Sequence, residues 1–441
     1  MFEARCVHER AFFITLAWKP PEGFTVIPGN FRKVTKDNRM NETKDYTAMI
    51  SGIQDILKKE KIDGWLLYNF RESNVFATRI LALPPHIMCT RRYFYYIPKK
   101  GSPRKLVHRI EESNLDSLPG DKTVYLSWKS LADGLKRILK GSKTIAMEYS
   151  PRSAIPYVST VDAGAIELAK GTGARVVSSA NLVQYFEARW TEEQLNDNLE
   201  AARQLGQTAL EAFRFIRQRI GSNTSTTEYD VQQFMLAEFK RRGIKTEDAP
   251  NCSVNANAAN PHYEPTKETN SPLKKGDLVL LDLWAKKDKP RSVYADITWM
   301  GFIGETVPDE YEKIFQIVRG SRDAALNFVR DSFARRKPIC GYQVDDAARK
   351  YIASKGYGDD FIHRTGHSIG EEIHGNGANM DNLETHDERR VIPQTSFSIE
   401  PGIYLRDKFG VRSEIDVYIS KDNEVIVTGE PPQEKMVAIL G

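Results

Sequence analysis

Leu278-Val279-Leu280-Leu281-Asp282-Leu283-Trp284 is an apolar run of strand length interrupted by a single carboxylate. An ionised carboxylate inside such a strand costs several kcal/mol, roughly, unless it is paired, protonated or metal-bound. The pattern recurs at Tyr294-Ala295-Asp296-Ile297-Thr298, at Phe397-Ser398-Ile399-Glu400-Pro401-Gly402 and at Val411-Arg412-Ser413-Glu414-Ile415. Taken singly, each acid has a plainer explanation. An Asp in a strand is more often an edge residue or a salt-bridge partner, Glu400 precedes a turn-forming Pro-Gly, and Arg412 is placed to pair with Glu414 or another acid. Together the four would repel each other severely without cations. Four carboxylates with His367 make an oxygen-rich donor set that suits Mn²⁺, Co²⁺, Fe²⁺ or Zn²⁺.

The histidines cluster as well. His363-Arg364-Thr365-Gly366-His367 sets two imidazoles four residues apart, a spacing that would put both on one face of a helix. Gly366 and Gly370 argue instead for a tight loop or a strand bend. His374 follows in Glu372-Ile373-His374-Gly375, and His262 sits in the loop signal Asn260-Pro261-His262-Tyr263. Three of the eight histidines fall within His363–His374, which weakens the reading of each as an ordinary structural histidine.

Outward from these segments the second half alternates helices and strands. Thr191 and Gln194 form a capping box ahead of Leu195, Leu199, Ala202, Leu205, Ala209, Phe213 and Ile216, which repeat at helical spacing up to Gly221. A second helix is predicted after Thr227 up to Gly243, a third from Pro308 to about Val329, and a fourth from Val344 to Lys355. Strands are predicted at Leu278–Trp284, Val293–Met300, Ser396–Ile399 and Ile415–Ile419. This is an α+β pattern with a mainly antiparallel sheet. The first half reads as α/β. It has a helix at Ala48–Glu60 and a strand at Trp65–Tyr68. Further strands are predicted at Tyr93–Ile97, Lys105–Ile110, Thr123–Leu126, Thr144–Met147 and Ala174–Val177, with helices at Leu131–Leu139 and Val158–Leu168. It ends near Ala180. Residues Met1 to about Met40 carry no clear period.

A length of 441 residues suggests two domains. The net charge of +4 and the absence of a long basic stripe do not suggest nucleic-acid binding. Cys6, Cys89, Cys252 and Cys340 form no CxxC pair, as expected of a reducing, cytoplasmic setting. The apolar Ala11–Trp18 is too short to span a bilayer.

Six segments, in order, resemble the pita-bread metallopeptidases: Xaa-Pro aminopeptidases, prolidases, methionine aminopeptidases and creatinase-like relatives. They are Asn260–Tyr263, Gly276–Asp282, Tyr294–Thr298, His363–Gly370, Ile399–Tyr404 and Val411–Glu414. The likeness covers about Thr191 to Val427, and the first half is similar to the creatinase-type domain of the Xaa-Pro branch. The resemblance implies a pita-bread catalytic domain over 186–441, a creatinase-like α/β domain over 41–185 and an extension over 1–40. It implies two divalent metals, Mn²⁺ foremost with Co²⁺, Zn²⁺ and Fe²⁺ as alternatives. Asp282 would hold one metal, Asp296 and Glu414 would bridge the pair, and His367 and Glu400 would complete the second. His262 and His374 would flank the scissile carbonyl, and Glu400 would shuttle a proton. His363, Arg412 and Tyr404 would line the pocket for proline and its neighbouring carboxylate or carbonyl.

The implied reaction is hydrolysis of the Xaa-Pro bond in dipeptides or at the amino terminus of short peptides, by water activated between the metals. The implied assembly is a homodimer, with no nucleic-acid or membrane partner. Aminopeptidase and dipeptidase both stay open, as does a metal-dependent hydrolase or lyase of a small amide-like molecule. An inactive binding protein is disfavoured because all five ligand types are present. Three departures from the family pattern stand out: extra residues at Lys286–Ser292, Trp299-Met300 where relatives often carry arginine and threonine, and a loose Gly375-Asn376-Gly377-Ala378-Asn379. The second is expected to alter the surroundings of the ligands or a neighbouring subsite.

Overall fold

The computed structural model describes residues 46–84, 88–429 and 431–441. The Met1–Met40 extension, with Ala11–Trp18 and Cys6, lies outside the described residues. In the first half, strands β1 (Gly64–Asn69), β2 (Tyr93–Pro98), β3 (Arg104–His108), β4 (Asp121–Tyr125), β5 (Thr144–Met147) and β6 (Arg175–Ser178) form one sheet in the order β4-β3-β2-β1-β5-β6. Strand β2 runs antiparallel to both neighbours, whereas β3 with β4, β1 with β5 and β5 with β6 are parallel. Helices α1 (Tyr46–Lys59), α2 (Val75–Ile80), α3 (Trp128–Ile138), α4 (Ala163–Lys170) and α5 (Ala180–Glu187) cover it.

The strand period of two explains why both faces are covered. Trp65, Leu67, Tyr93, Tyr95 and Ile97 pack with α1, α2 and α5 through Ile53, Leu57, Phe76, Leu182 and Val183. Their neighbours Leu66, Tyr68, Phe94 and Tyr96 pack with α3 and α4 through Leu131, Leu135, Ala165 and Ile166. Two predicted elements are shorter than expected. The helix predicted from Val158 begins only at Ala163, because Pro156–Val158 forms a 3₁₀ turn and Asp162 caps the helix by accepting the Ala165 N–H. The strand predicted to Ile110 stops at His108, whose Nδ1 accepts the Ile110 N–H. Helices α2 and α5 were not expected; six and eight residues are too few for helical periodicity to stand out.

In the second half, α6 (Glu192–Gly221) starts at the predicted Thr191/Gln194 capping box. Helix α7 (Glu228–Arg242) ends at Gly243, whose φ of 70° is the left-handed conformation that glycine adopts freely. Strands β7 (Ile244–Lys245), β8 (Asn251–Val254), β9 (Leu278–Lys287) and β10 (Ala295–Phe302) follow, then α8 (Asp309–Ala334) and α9 (Gly341–Ser354). Short strands close the chain: β11 (Ser368–Ile369), β12 (Ser396–Ile399), β13 (Gly402–Leu405), β14 (Phe409–Arg412), β15 (Ile415–Ile419), β16 (Val425–Thr428) and β17 (Val437–Ala438). They make a sheet β17-β10-β9-β7 with β8 beside β9, a sheet β11-β12-β15-β16, and a β13-β14 pair. The pairing is antiparallel, as expected, apart from β10 with β17.

One feature of β9 and β10 positions the site. Val279, Leu281, Leu283, Ala295 and Ile297 face α6 and α7. Leu278, Leu280 and Met300, on the opposite face, pack into the core under α8 and α9. That same face continues through Asp282, Trp284, Asp296 and Thr298, beyond the cover of the helices. One face of one hairpin is thus core at one end and polar cavity wall at the other. Tyr46–Gly441 packs as one compact unit. No described helix is long and apolar enough to cross a membrane.

Candidate metal centre

Antiparallel register brings the acids together. Asp282 lies opposite Thr298 and Asp296 opposite Trp284, so both aspartates reach one side of the hairpin. Glu400 follows β12 directly and Glu414 precedes β15 directly, on strands paired through Ile399 and Ile415. His367 precedes β11 on a segment held from both sides. Asp345 accepts the Thr365 N–H and hydroxyl at 2.9 and 2.6 Å. Ser398 Oγ accepts the His367 N–H at 3.0 Å. At Gly366 an added Cβ would collide with the Ser398 carbonyl, so this close approach requires glycine. His363–His367 is therefore a bent loop leading into a strand, not a helix.

Ligand atoms of Asp296, His367 and Glu414 all lie within 4.8 Å of one another. The His367 Nδ1–H donates to the Ser368 carbonyl at 3.2 Å, which leaves a lone pair on Nε2. That atom sits 3.5 Å from Asp296 Oδ2 and 3.4 Å from Glu400 Oε1. The Asp282 carboxylate is ion-paired with Arg412 and takes the Thr298 hydroxyl at 3.0 Å. Asp296 and Glu414 are each 4% exposed, and one oxygen of each, Oδ1 and Oε1, has no hydrogen-bond partner among the described residues. Burial raises the pKa of both well above the usual carboxylate range, and neighbouring acids add to it: Asp282 and Glu400 at Asp296, and Asp296 first at Glu414. Orphaned carboxylate oxygens facing an imidazole lone pair in a buried pocket have the chemistry of a divalent-metal site. The five residues present fit such an ion.

A cavity of about 840 Å³ opens over this cluster. It is lined by all five expected ligands and by His262, His363, His374 and Arg412. Tyr404 does not line it. Its hydroxyl donates to His363 Nε2 at 2.7 Å from behind the wall, while His363 Nδ1–H donates to the Arg364 carbonyl at 2.6 Å. His363 is thus fully engaged, and burial, followed by the charge of Arg412, lowers its pKa to about 3. His374 stands edge-on to His367 at 4.5 Å between ring centroids, and burial is the main cause that lowers its pKa to about 4. The His262 loop is tied to α7. Glu228, fully buried, accepts the Tyr263 hydroxyl at 2.5 Å and the Val254 N–H at 2.7 Å.

Arg412, expected at the proline pocket, lines the cavity but is engaged elsewhere. It is 5% exposed, its guanidinium pairs with Asp282, and its Nε–H donates to Thr298 Oγ at 2.9 Å. Several site residues were missed. Thr298 touches Asp282, Glu414 and Arg412; Ser398 donates to Glu400; and the buried Asp416 accepts the Asp296 N–H at 2.9 Å. Thr298 and Asp416 lie two residues beyond Asp296 and Glu414, so strand alternation alone would have found them. Arg364 and Tyr157 also line the cavity, and Tyr157 comes from the distant first half, where no local pattern marks it.

The departures resolve differently from expectation. Trp299 points to the α6–α7 side, and Met300 is fully buried in the α8–α9 core. Neither lines the cavity, so they do not form the altered subsite predicted for them. The extra residues lie at the β9–β10 hairpin tip, where Lys289 pairs with Glu193 and Asp197, and the register of Asp282 and Asp296 is unaffected. The Gly375–Asn379 stretch is not loose. Ser368 O and Oγ accept the Gly375 and Gly377 N–H groups, and Gln184 and Asp387 accept those of Ala378 and Asn379.

Residues 197–421, just over half of the chain, match metallopeptidase family M24. The chain belongs to family M24. An Xaa-Pro dipeptidase of Lactobacillus helveticus is 27% identical over 336 residues, covering 75% of this chain and 83% of that enzyme. Among solved structures, dipeptidase PepE from Mycobacterium ulcerans superposes with a TM-score of 0.62 at 20% identity, over 89% of this chain and 98% of that one. A prolidase from Thermococcus sibiricus does so with a TM-score of 0.55 at 23% identity, over 89% and 99%. The M24 chain therefore has the α+β pita-bread fold that its sequence implied, and it is a metallopeptidase.

Proposed function

We propose that this M24 chain hydrolyses the Xaa-Pro bond of short peptides with two divalent metals, Mn²⁺ foremost. The observation that carries this reading is the convergence of Asp282, Asp296, His367, Glu400 and Glu414 at the floor of a cavity whose walls carry His262 and His374. The similarity to an Xaa-Pro dipeptidase supports the proline preference. Asp282, Asp296 and Glu414 would hold one ion, and Asp296, Glu414, His367 and Glu400 the other. When bound, the metals supply Lewis acidity and activate water at neutral pH.

The remaining work falls to the chain's own groups. His374, neutral at pH 7, donates an N–H to the scissile carbonyl oxygen as negative charge grows there. His262 approaches the same bond from the loop that Glu228 holds. Glu400, beside Ser398, carries a proton to the leaving proline nitrogen. A prolyl amide has no N–H, so shape selects it rather than a hydrogen bond to that group. The Ser368 carbonyl keeps His367 in the tautomer that presents Nε2, and Asp345 holds the preceding loop at Thr365. Catalysis is assigned to 186–441, and residues 41–185 contribute Tyr157 to the cavity wall.

The test is to strip the purified protein of metal, reload it with Mn²⁺ and offer Xaa-Pro, Xaa-Pro-Yaa and Xaa-Ala peptides beside an Asp296→Asn variant. Cleavage confined to proline substrates and lost in the variant is expected. Metal binding without cleavage of any of them would overturn the proline assignment and favour a small amide-like substrate.

A further inference from the structure

Among the described residues two guanidinium groups line the cavity, and one of them is available to a substrate. Arg412 is committed to Asp282 and Thr298 within the carboxylate cluster. Arg364 is half-buried, and among the described residues its side chain has a single hydrogen-bond partner, the neutral hydroxyl of Tyr157, 2.8 Å from Nη1. The Tyr157 ring also lies under the guanidinium, 5.9 Å from it. A guanidinium carries five N–H donors in a fixed fork that matches a carboxylate. Four of those of Arg364 have no acceptor among the described residues. Among the described residues no carboxylate lies within ion-pair distance of it; Glu384 accepts only its backbone N–H, at 3.0 Å.

The position of Arg364 limits what it can hold. It follows His363 directly, stands three residues before His367, and lines the same cavity as the five expected ligands. One extended residue spans about 3.3–3.6 Å, and the carboxylate of an Xaa-Pro dipeptide stands on the residue that follows the bond to be cut. Tyr157, reaching in from the first half of the chain, backs the guanidinium.

We infer that Arg364, positioned by Tyr157, binds the free carboxylate of a dipeptide, which makes this chain a dipeptidase rather than an aminopeptidase. This inference rests on the peptidase reading above and names its substrate class. It replaces Arg412 as the carboxylate partner. The experiment compares Ala-Pro with its carboxamide, Ala-Pro-NH₂, in two ways: steady-state hydrolysis by the Mn²⁺-loaded enzyme, and calorimetric binding to the EDTA-treated protein.

In the wild type, KM and Kd are expected to favour the free acid by about 10- to 100-fold, the worth of a charged hydrogen-bonded pair. Arg364→Met should bring that ratio close to one, chiefly through KM. Arg364→Lys should keep part of it, and Tyr157→Phe should give an intermediate ratio. A wild-type ratio near one, or an Arg364→Met ratio equal to the wild type's, overturns the inference. If the enzyme cuts both substrates equally well, the peptidase reading stands and the anchor falls. If it cuts neither but still binds the acid selectively through Arg364, the anchor stands and the peptidase reading falls.

Discussion

Replacing Glu228 with Gln tests how a helix far from the ligands holds the active-site wall. Glu228 is fully buried at the first turn of α7, and each of its oxygens accepts a backbone N–H, Val254 on Oε1 at 2.7 Å and Ser271 on Oε2 at 2.7 Å. Asn257 Nδ2 and the Tyr263 hydroxyl add to the same two oxygens. A glutamine offers one acceptor and one NH₂. Whichever way the amide turns, its NH₂ faces a backbone N–H and a side-chain donor. Two buried donors left without acceptors cost about 1–3 kcal/mol each, so the expected loss is roughly 2–6 kcal/mol. At about 2.1 cal/mol/K per residue, roughly 400 residues give an unfolding entropy near 0.8 kcal/mol/K, and Tm should fall by about 2–7 °C. Calorimetry reads that fall. Peptide hydrolysis should drop with it, because the same carboxylate fixes the loop carrying His262. A Tm change under about 1 °C with unaltered activity would refute the reasoning.

Metal loading should raise Tm. A ligand at 100 times its Kd contributes about 2.7 kcal/mol, or roughly 3 °C on the same entropy scale, and Asp296→Asn should abolish the gain; an equal rise in the variant would show that the ion binds elsewhere. Asp63 has its pKa held at about 2, first by Lys99 and then by the backbone N–H groups of Thr144 and Lys143. A depressed folded pKa stabilises above the unfolded value near 3.8 and loses that contribution as pH falls through about 2. Asp63→Asn should therefore lower Tm at pH 7, and chemical denaturation should find the gap to the wild type shrinking between pH 4 and pH 2. Trp299→Ala should cost about 2 kcal/mol, less than for a fully buried tryptophan, and leave selectivity between Ala-Pro and Ala-Ala where it was. A changed selectivity ratio would return Trp299 to the substrate pocket.

The elements that were legible in the sequence have strong local signals. The capping box of Thr191 and Gln194, the Gly243 stop and the four long helices needed only periodicity and end chemistry. Asp282, Asp296, Glu400 and Glu414 were legible because a carboxylate in an apolar strand demands a partner. Asp416 carries the same signal in Ile415-Asp416-Val417 but lies just beyond Val411–Glu414, the last segment of the resemblance. Strands of two to four residues such as β7, β8 and β11 were illegible, since their pairing comes from distant chain.

By itself, then, the sequence determined which residues had to be buried and which buried charges had to be compensated, because those demands arise within a few neighbouring positions. Tertiary structure alone decided how they were met. Arg412 turns inward to Asp282, because β14 pairs with β13 beside the carboxylates. Tyr404 stands behind His363 rather than in the cavity. Arg364 is left facing the cavity because Tyr157, more than 200 residues earlier in the chain, offers it only a hydroxyl. Which of two arginines a substrate can reach depends on partners brought together by packing, and local sequence carries no record of those distances.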